Sequence, residues 1–134
     1  MSTVLYCRTA NGGANAMALQ VVALNQYALE MGYIPFMAYC DMNESGATLD
    51  RPGMQKLLAD IRACKVKRII VKDLLRLSRN ISQLHDLLNL FNDFDVEIVS
   101  FNDGGVVDRL EPDVLANANP VFAMREKRLR AAET

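Results

Sequence analysis

The chain carries almost no net charge: 15 Lys and Arg against 16 Asp and Glu leave a formal value of −1 over 134 residues. A protein that grips nucleic acid through an all-over basic surface is thereby excluded, and any phosphate affinity has to be local. Cysteine is sparse. Cys7, Cys40 and Cys64 are odd in number and match no metal-binding spacing, so the sequence predicts buried free thiols, with Cys7 and Cys40 in strands. The single histidine, His85, falls in a helical pattern and reads as a surface or core side chain rather than a catalytic one. H-E-x-x-H, Cys-x-x-Cys and carboxylate clusters are all missing, so no metal is expected. No apolar run approaches a membrane span and nothing reads as a secretory leader, which makes a cytoplasmic location the expectation. Repeats and low-complexity tracts are also missing, and the length suits one domain with a real core.

What is present is an alternation of strand and helix. Thr3–Arg8 is rich in β-branched and aromatic residues and reads as a first strand. A Gly12-Gly13 turn leads into a helix over Ala16–Met31, whose apolar positions Leu19, Val22, Ala23, Tyr27 and Met31 set the expected core face, with Gly32 ending it. Ile34–Cys40 is a second strand, followed by a polar loop with Ser45-Gly46. Asp50 is placed to cap a helix from Arg51 to about Lys65, with Met54, Leu57, Leu58 and Ile61 inward. Arg68–Lys72 holds the short apolar run of a strand buried on both faces. A helix over Ile81–Phe94 turns Leu84, Leu87, Leu88, Phe91 and Phe94 inward, and Val96–Phe101 is a fourth strand. The pattern predicts an α/β three-layer sandwich: a mainly parallel sheet of four or more strands with helices on both faces. After residue 105 two prolines, Pro112 and Pro120, interrupt the tail, whose Val121–Ala132 reads as a short basic helix.

Four arginines punctuate this pattern. Arg8 closes the first strand, Arg51 opens the helix after the second, and Arg76 and Arg79 follow the third at a spacing of one helical turn. Ligands of open α/β sheets bind outside the carboxyl ends of the strands, the edge on which these guanidiniums are expected to converge. A shared anion, with bidentate phosphate recognition the usual case, relieves such a cluster. Solvated arginines at a helix start are the plainer alternative. The Gly12-Gly13 loop lacks both the G-x-G-x-x-G and the G-x-x-x-x-G-K-[ST] patterns and adds little.

Three segments carry a family resemblance. L-Y-C-R-T-A (Leu5–Ala10), S-G-A-T-L-D-R-P-G-M-Q-K-L-L (Ser45–Leu58) and V-K-D-L-L-R-L-S-R-N (Val71–Asn80) resemble the catalytic domain of serine recombinases, the resolvase/invertase family. They are most like the large serine recombinase branch, which reads D-R-P-G-F and V-K-D-L-S-R-L-G-R-N. The likeness runs in order over Thr3–Phe101 and takes in Gln20 and Asp41. It implies site-specific DNA recombination without a cofactor, in which a serine attacks a DNA phosphodiester and a tetramer exchanges and religates the strands. It also implies that Arg8, Arg51, Arg76 and Arg79 neutralise the phosphate, with Gln20 and Asp41 in support. DNA and either a second copy or another recombinase are the implied partners. Residues 1–105 would be the catalytic domain and 106–134 a tail, a short or truncated dimerisation helix.

The departures are specific. The family pattern Y-x-R-x-S puts its nucleophile where this chain has Ala10, in Tyr6-Cys7-Arg8-Thr9-Ala10. A methyl group cannot attack phosphorus, and losing a covalent nucleophile costs on the order of a millionfold in turnover. Strand alternation points the Thr9 hydroxyl away from the face shared by Arg8 and residue 10. Leu75 stands where the family has a polar residue, and Ser78 where it has glycine. The expected function is thus a recombinase-type domain that is inactive as it stands. The alternatives are a degenerate relative that pairs with another protein, or a phosphohydrolase or nucleotide-binding protein using the same arginines. The last lacks a general base and a metal set.

Overall fold

The computed structural model describes residues 2–10, 12–42 and 49–106. The Ser45-Gly46 loop and the expected basic helix at Val121–Ala132 lie outside the described residues.

Five strands form one sheet: β1 (Ser2–Thr9), β2 (Pro35–Met42), β3 (Val66–Val71), β4 (Glu97–Ser100) and β5 (Gly105–Val106). Their order is β2-β1-β3-β4-β5, with the first four strands parallel and β5 antiparallel to β4. The helices are α1 (Gly13–Glu30), α2 (Pro52–Arg62) and α3 (Ile81–Asp93). Alternation along the strands sorts the two cores. Leu5 and Cys7 of β1, Ile70 of β3 and Val99 of β4 pack with Met17, Leu24 and Ala28 of α1. Val4, Tyr6, Ile69, Val71 and Ile98 point the other way, against α2 and α3. The three-layer arrangement read from the sequence is therefore the one the chain adopts.

Several expectations fail locally. The face α1 buries is Met17, Gln20, Leu24 and Ala28, not the Leu19–Val22 stripe; Leu19 is 72% exposed. Phe94 is exposed at the end of α3. Only Cys7 is a buried thiol; Cys40 and Cys64 are exposed, because Cys40 lies on the edge strand and Cys64 follows α2. Burial and the neighbouring Cys40 push the Cys7 thiol up to about 12.

The cap of α2 also differs. Arg51 occupies the N-cap position without a capping side chain, and Asp41 reaches across from β2 instead. Its carboxylate accepts from Gly53 N at 2.7 Å and Met54 N at 2.9 Å. Charge-assisted bonds from free helix N–H groups suit a carboxylate at this end of the dipole. Residue 53 has to be glycine for this approach, since a Cβ there would sit 2.9 Å from the Asp41 carboxylate.

The buried face of α1 is open to a direct test by urea denaturation. Leu24→Ala should cost about 2–5 kcal/mol, whereas Leu19→Ala should stay within about 0.5 kcal/mol of the parent. Equal losses would restore the face that the periodicity favoured.

Candidate phosphate site

The site forms where β1 and β3 end. After β3, Lys72 and Asp73 lead into a short 3-10 turn, Leu74–Arg76. Asp73 caps that turn, its Oδ1 accepting from Arg76 N at 3.2 Å. Leu74 and Leu77 are fully buried and anchor the turn in the α2–α3 core. Asn80 then caps α3, its Oδ1 accepting from Gln83 N at 3.1 Å. Ser78, in the position expected to be glycine, is buried: its hydroxyl donates to Asn80 O at 3.2 Å and accepts from Asn80 N at 3.1 Å.

Two guanidiniums grip this turn by its carbonyls. Arg8 Nε donates to Arg76 O at 3.1 Å and its Nη2 to Leu75 O at 3.0 Å. Arg51 Nη1 donates to the same Arg76 O at 3.2 Å and its Nη2 to Leu77 O at 2.5 Å. Three successive carbonyls are thus held by two cations. In return, Arg76 Nη1 donates to Arg8 O at 3.2 Å.

Arg51 is 0% exposed and forms no ion pair among the described residues. Its counter-charge comes through Tyr6: Arg51 Nη1 donates to the phenol oxygen at 3.0 Å, and that hydroxyl donates to Asp41 Oδ2 at 2.7 Å. Burial first, then the hydrogen bond to Asp41, raise the Tyr6 phenol well above its ordinary value, so it stays a neutral relay between cation and carboxylate. Burial, followed by the charge of Arg51, holds Arg8 below the ordinary arginine value, and Arg76 and Arg79 push the same way. An anion at this spot would relieve that repulsion.

Gln20 supports β1 where the sheet leaves it. β3 pairs with β1 only as far as Leu5. At Arg8 the Gln20 side chain substitutes for a neighbouring strand: Oε1 accepts from Arg8 N at 3.0 Å and Nε2 donates to Arg8 O at 3.3 Å.

Of the seven residues singled out from the sequence, Arg8, Ala10, Arg76 and Arg79 line one hollow of about 220 Å3, together with Asp73 and Leu75. Arg79 is exposed and makes no hydrogen bond or ion pair among the described residues, which leaves its guanidinium available. Arg51, Gln20 and Asp41 do not line this hollow. Gln20 lines a neighbouring hollow instead, and all three hold the backbone around the site through hydrogen bonds, a role that position in the sequence could not distinguish from direct contact. Arg76 and Arg79 do not share one helical turn either: Arg76 ends the 3-10 turn and Arg79 follows it. Thr9 opens onto a different, larger hollow on the α1 side. Tyr6 and Asp73 fall inside the motifs read from the sequence but receive no role there, although Asp73 directly after a buried strand is a recognisable capping signal. His85 lines neither hollow and lies near Asn89 on α3, Nε2 to Nδ2 3.3 Å. Among the described residues no group of three His, Cys, Asp or Glu could hold a metal ion, and no helix is long and apolar enough to cross a membrane.

The model of the resolvase N-terminal domain matches residues 3–134. The chain belongs to the resolvase family. Its fold is similar to the N-terminal catalytic domain of TP901-1 integrase, with 25% identity and a TM-score of 0.71 over 98% of this chain and 96% of that one. It is also similar to the first open reading frame of transposon ISC1904 from Sulfolobus solfataricus P2, at 28% identity and a TM-score of 0.66 over 76% and 68% of the two chains. A resolvase family site-specific recombinase from Streptococcus pneumoniae, 21% identical, shares the fold with a TM-score of 0.71 over 98% and 91%. No curated protein matches at a significant level.

The division of labour among this resolvase domain's arginines can be measured. Arg51→Lys keeps a positive charge but loses the planar fork, leaving at least one buried carbonyl unpaired at a cost of about 1–3 kcal/mol. Arg79→Lys, at an exposed position, should change stability by less than about 0.5 kcal/mol. Chemical denaturation of both variants separates the roles, and equal effects would dissolve the distinction.

Proposed function

We propose that this chain is a serine-recombinase-type catalytic domain that holds a DNA phosphate but cannot cut the strand. The carrying observation is the hollow shared by Arg8, Arg76 and Arg79 with Ala10 at its edge: the positive charge is in place and the nucleophile is not. A phosphodiester there would accept charge-assisted hydrogen bonds from Arg76 and Arg79, with Arg8 adding charge from below. The same donors would stabilise the five-coordinate phosphorus of a transesterification, given a hydroxyl to begin it. Arg51, Gln20 and Asp41 act as positioning residues through the carbonyls and backbone they hold. The chemistry calls for no cofactor. Residues 106–134 would supply dimer contacts, and the natural partner is DNA together with a second copy or a recombinase bearing its own serine.

The test is Ala10→Ser on a nicked or suicide duplex. The altered protein should form a denaturant-resistant adduct through residue 10, and the unaltered chain should form none. Both should bind duplex weakly, with affinity falling with salt at a log–log slope of about −0.9 per phosphate contact. An adduct formed by the unaltered chain, at Thr9 or elsewhere, overturns the inactive reading, and salt-independent binding overturns the phosphate reading. If both proteins bind DNA with that salt dependence and neither forms an adduct, a pairing module becomes the better description.

A further inference from the structure

Beside the cationic hollow lies a second one of about 550 Å3, and the two share Ala10 and Arg76 as common walls. The second is of another character. Leu19, Ala23 and Leu24 of α1 form one side and Phe101 another, with Lys72 at the margin. Its size falls in the range of small-molecule sites, which are mostly apolar with a few placed polar groups. Phe101 is half exposed, and its ring is fixed edge-on to Tyr27, with centroids 4.7 Å apart and planes at 82°. That contact holds the ring in place while leaving part of it open to a ligand. The Lys72 side chain makes no hydrogen bond or ion pair among the described residues, while its carbonyl accepts from Asn102 N at 2.8 Å, so a cation stands ready beside the apolar wall.

A cationic hollow adjoining an apolar, aromatic-walled one matches a ligand with a phosphate at one end and a flat, weakly polar body at the other. We propose that the larger hollow receives the deoxyribose and base of the nucleotide whose phosphate sits among Arg8, Arg76 and Arg79. This rests on the phosphate reading above and extends it from the backbone to the nucleoside. Ala10, with only a methyl group for a side chain, borders both compartments together with Arg76. A base stacked in duplex DNA cannot enter such a hollow, whereas a free nucleotide or an unpaired one can. The site therefore favours single-stranded over duplex DNA.

Titration calorimetry with inorganic phosphate, deoxyribose 5-phosphate and deoxynucleoside 5′-monophosphates decides it. The nucleotides should bind about tenfold or more tighter than inorganic phosphate, the gain expected of one base on an aromatic wall. Ala23→Trp, which fills the hollow from an exposed helix position, and Phe101→Ala should each abolish that gain while leaving phosphate affinity unchanged. Arg79→Gln should weaken all three ligands. Nucleotides binding no tighter than phosphate, or a gain that survives both pocket variants, overturns the nucleoside site and leaves the phosphate site standing. Failure of every ligand to bind removes the phosphate reading and this inference with it.

Discussion

Two buried guanidiniums bonded to three consecutive carbonyls are the constraint on which the rest of this site depends. Arg8 and Arg51 meet at Arg76 O and reach outward from it to Leu75 O and Leu77 O. Burying a cation is costly unless it is paired, and here the Nη atoms of Arg51 reach neutral acceptors, with the Asp41 carboxylate one phenol away, while its Nε is left without a partner among the described residues. The same carboxylate caps α2. A single network therefore ties the end of β1, the end of β2, the start of α2 and the turn after β3. Loosening any member would move Arg76, which is half-buried, and Arg79, which is exposed.

That arrangement separates two tasks that look alike in a sequence. Four arginines at or after the ends of three strands read as four phosphate ligands, because charge and position are all that spacing conveys. Whether a guanidinium ends at a carbonyl or in solvent depends on a fraction of a side chain's length, and on a buried phenol that resembles any other core aromatic. Tyr6 sits among Val4, Leu57 and Ile69 in the core, and nothing in Leu5-Tyr6-Cys7 marks its hydroxyl as a relay.

Much of the fold was legible. Strands β1 to β4 and helices α2 and α3 are each announced by a pattern with one dominant period, and their order follows from alternation. The face of α1 was not, for a physical reason: its eighteen residues carry one charge, Glu30, so apolar positions surround most of the helix. The sheet then selected Met17, Leu24 and Ala28, and buried the amide of Gln20 because that amide completes the backbone hydrogen bonding of Arg8. A polar residue on the inward face runs against pattern reading and follows from the unpaired end of a strand. The cap of α2 was missed for a similar reason, since Asp41 is distant in sequence and adjacent only after β2 is in place. The short strand β5 was too brief to carry a period at all.

The account's central claim is that Arg8 and Arg51 hold the turn while Arg76 and Arg79 meet the anion. Side-chain nitrogen NMR of the arginines during titration with inorganic phosphate tests it most directly. Arg76 and Arg79 should shift with added phosphate, and Arg51, fully buried and bonded to Leu77 O, should show slow proton exchange and no movement. A phosphate-dependent shift of Arg51 as large as that of Arg79, or rapid exchange of its guanidinium protons in the free protein, would contradict the account.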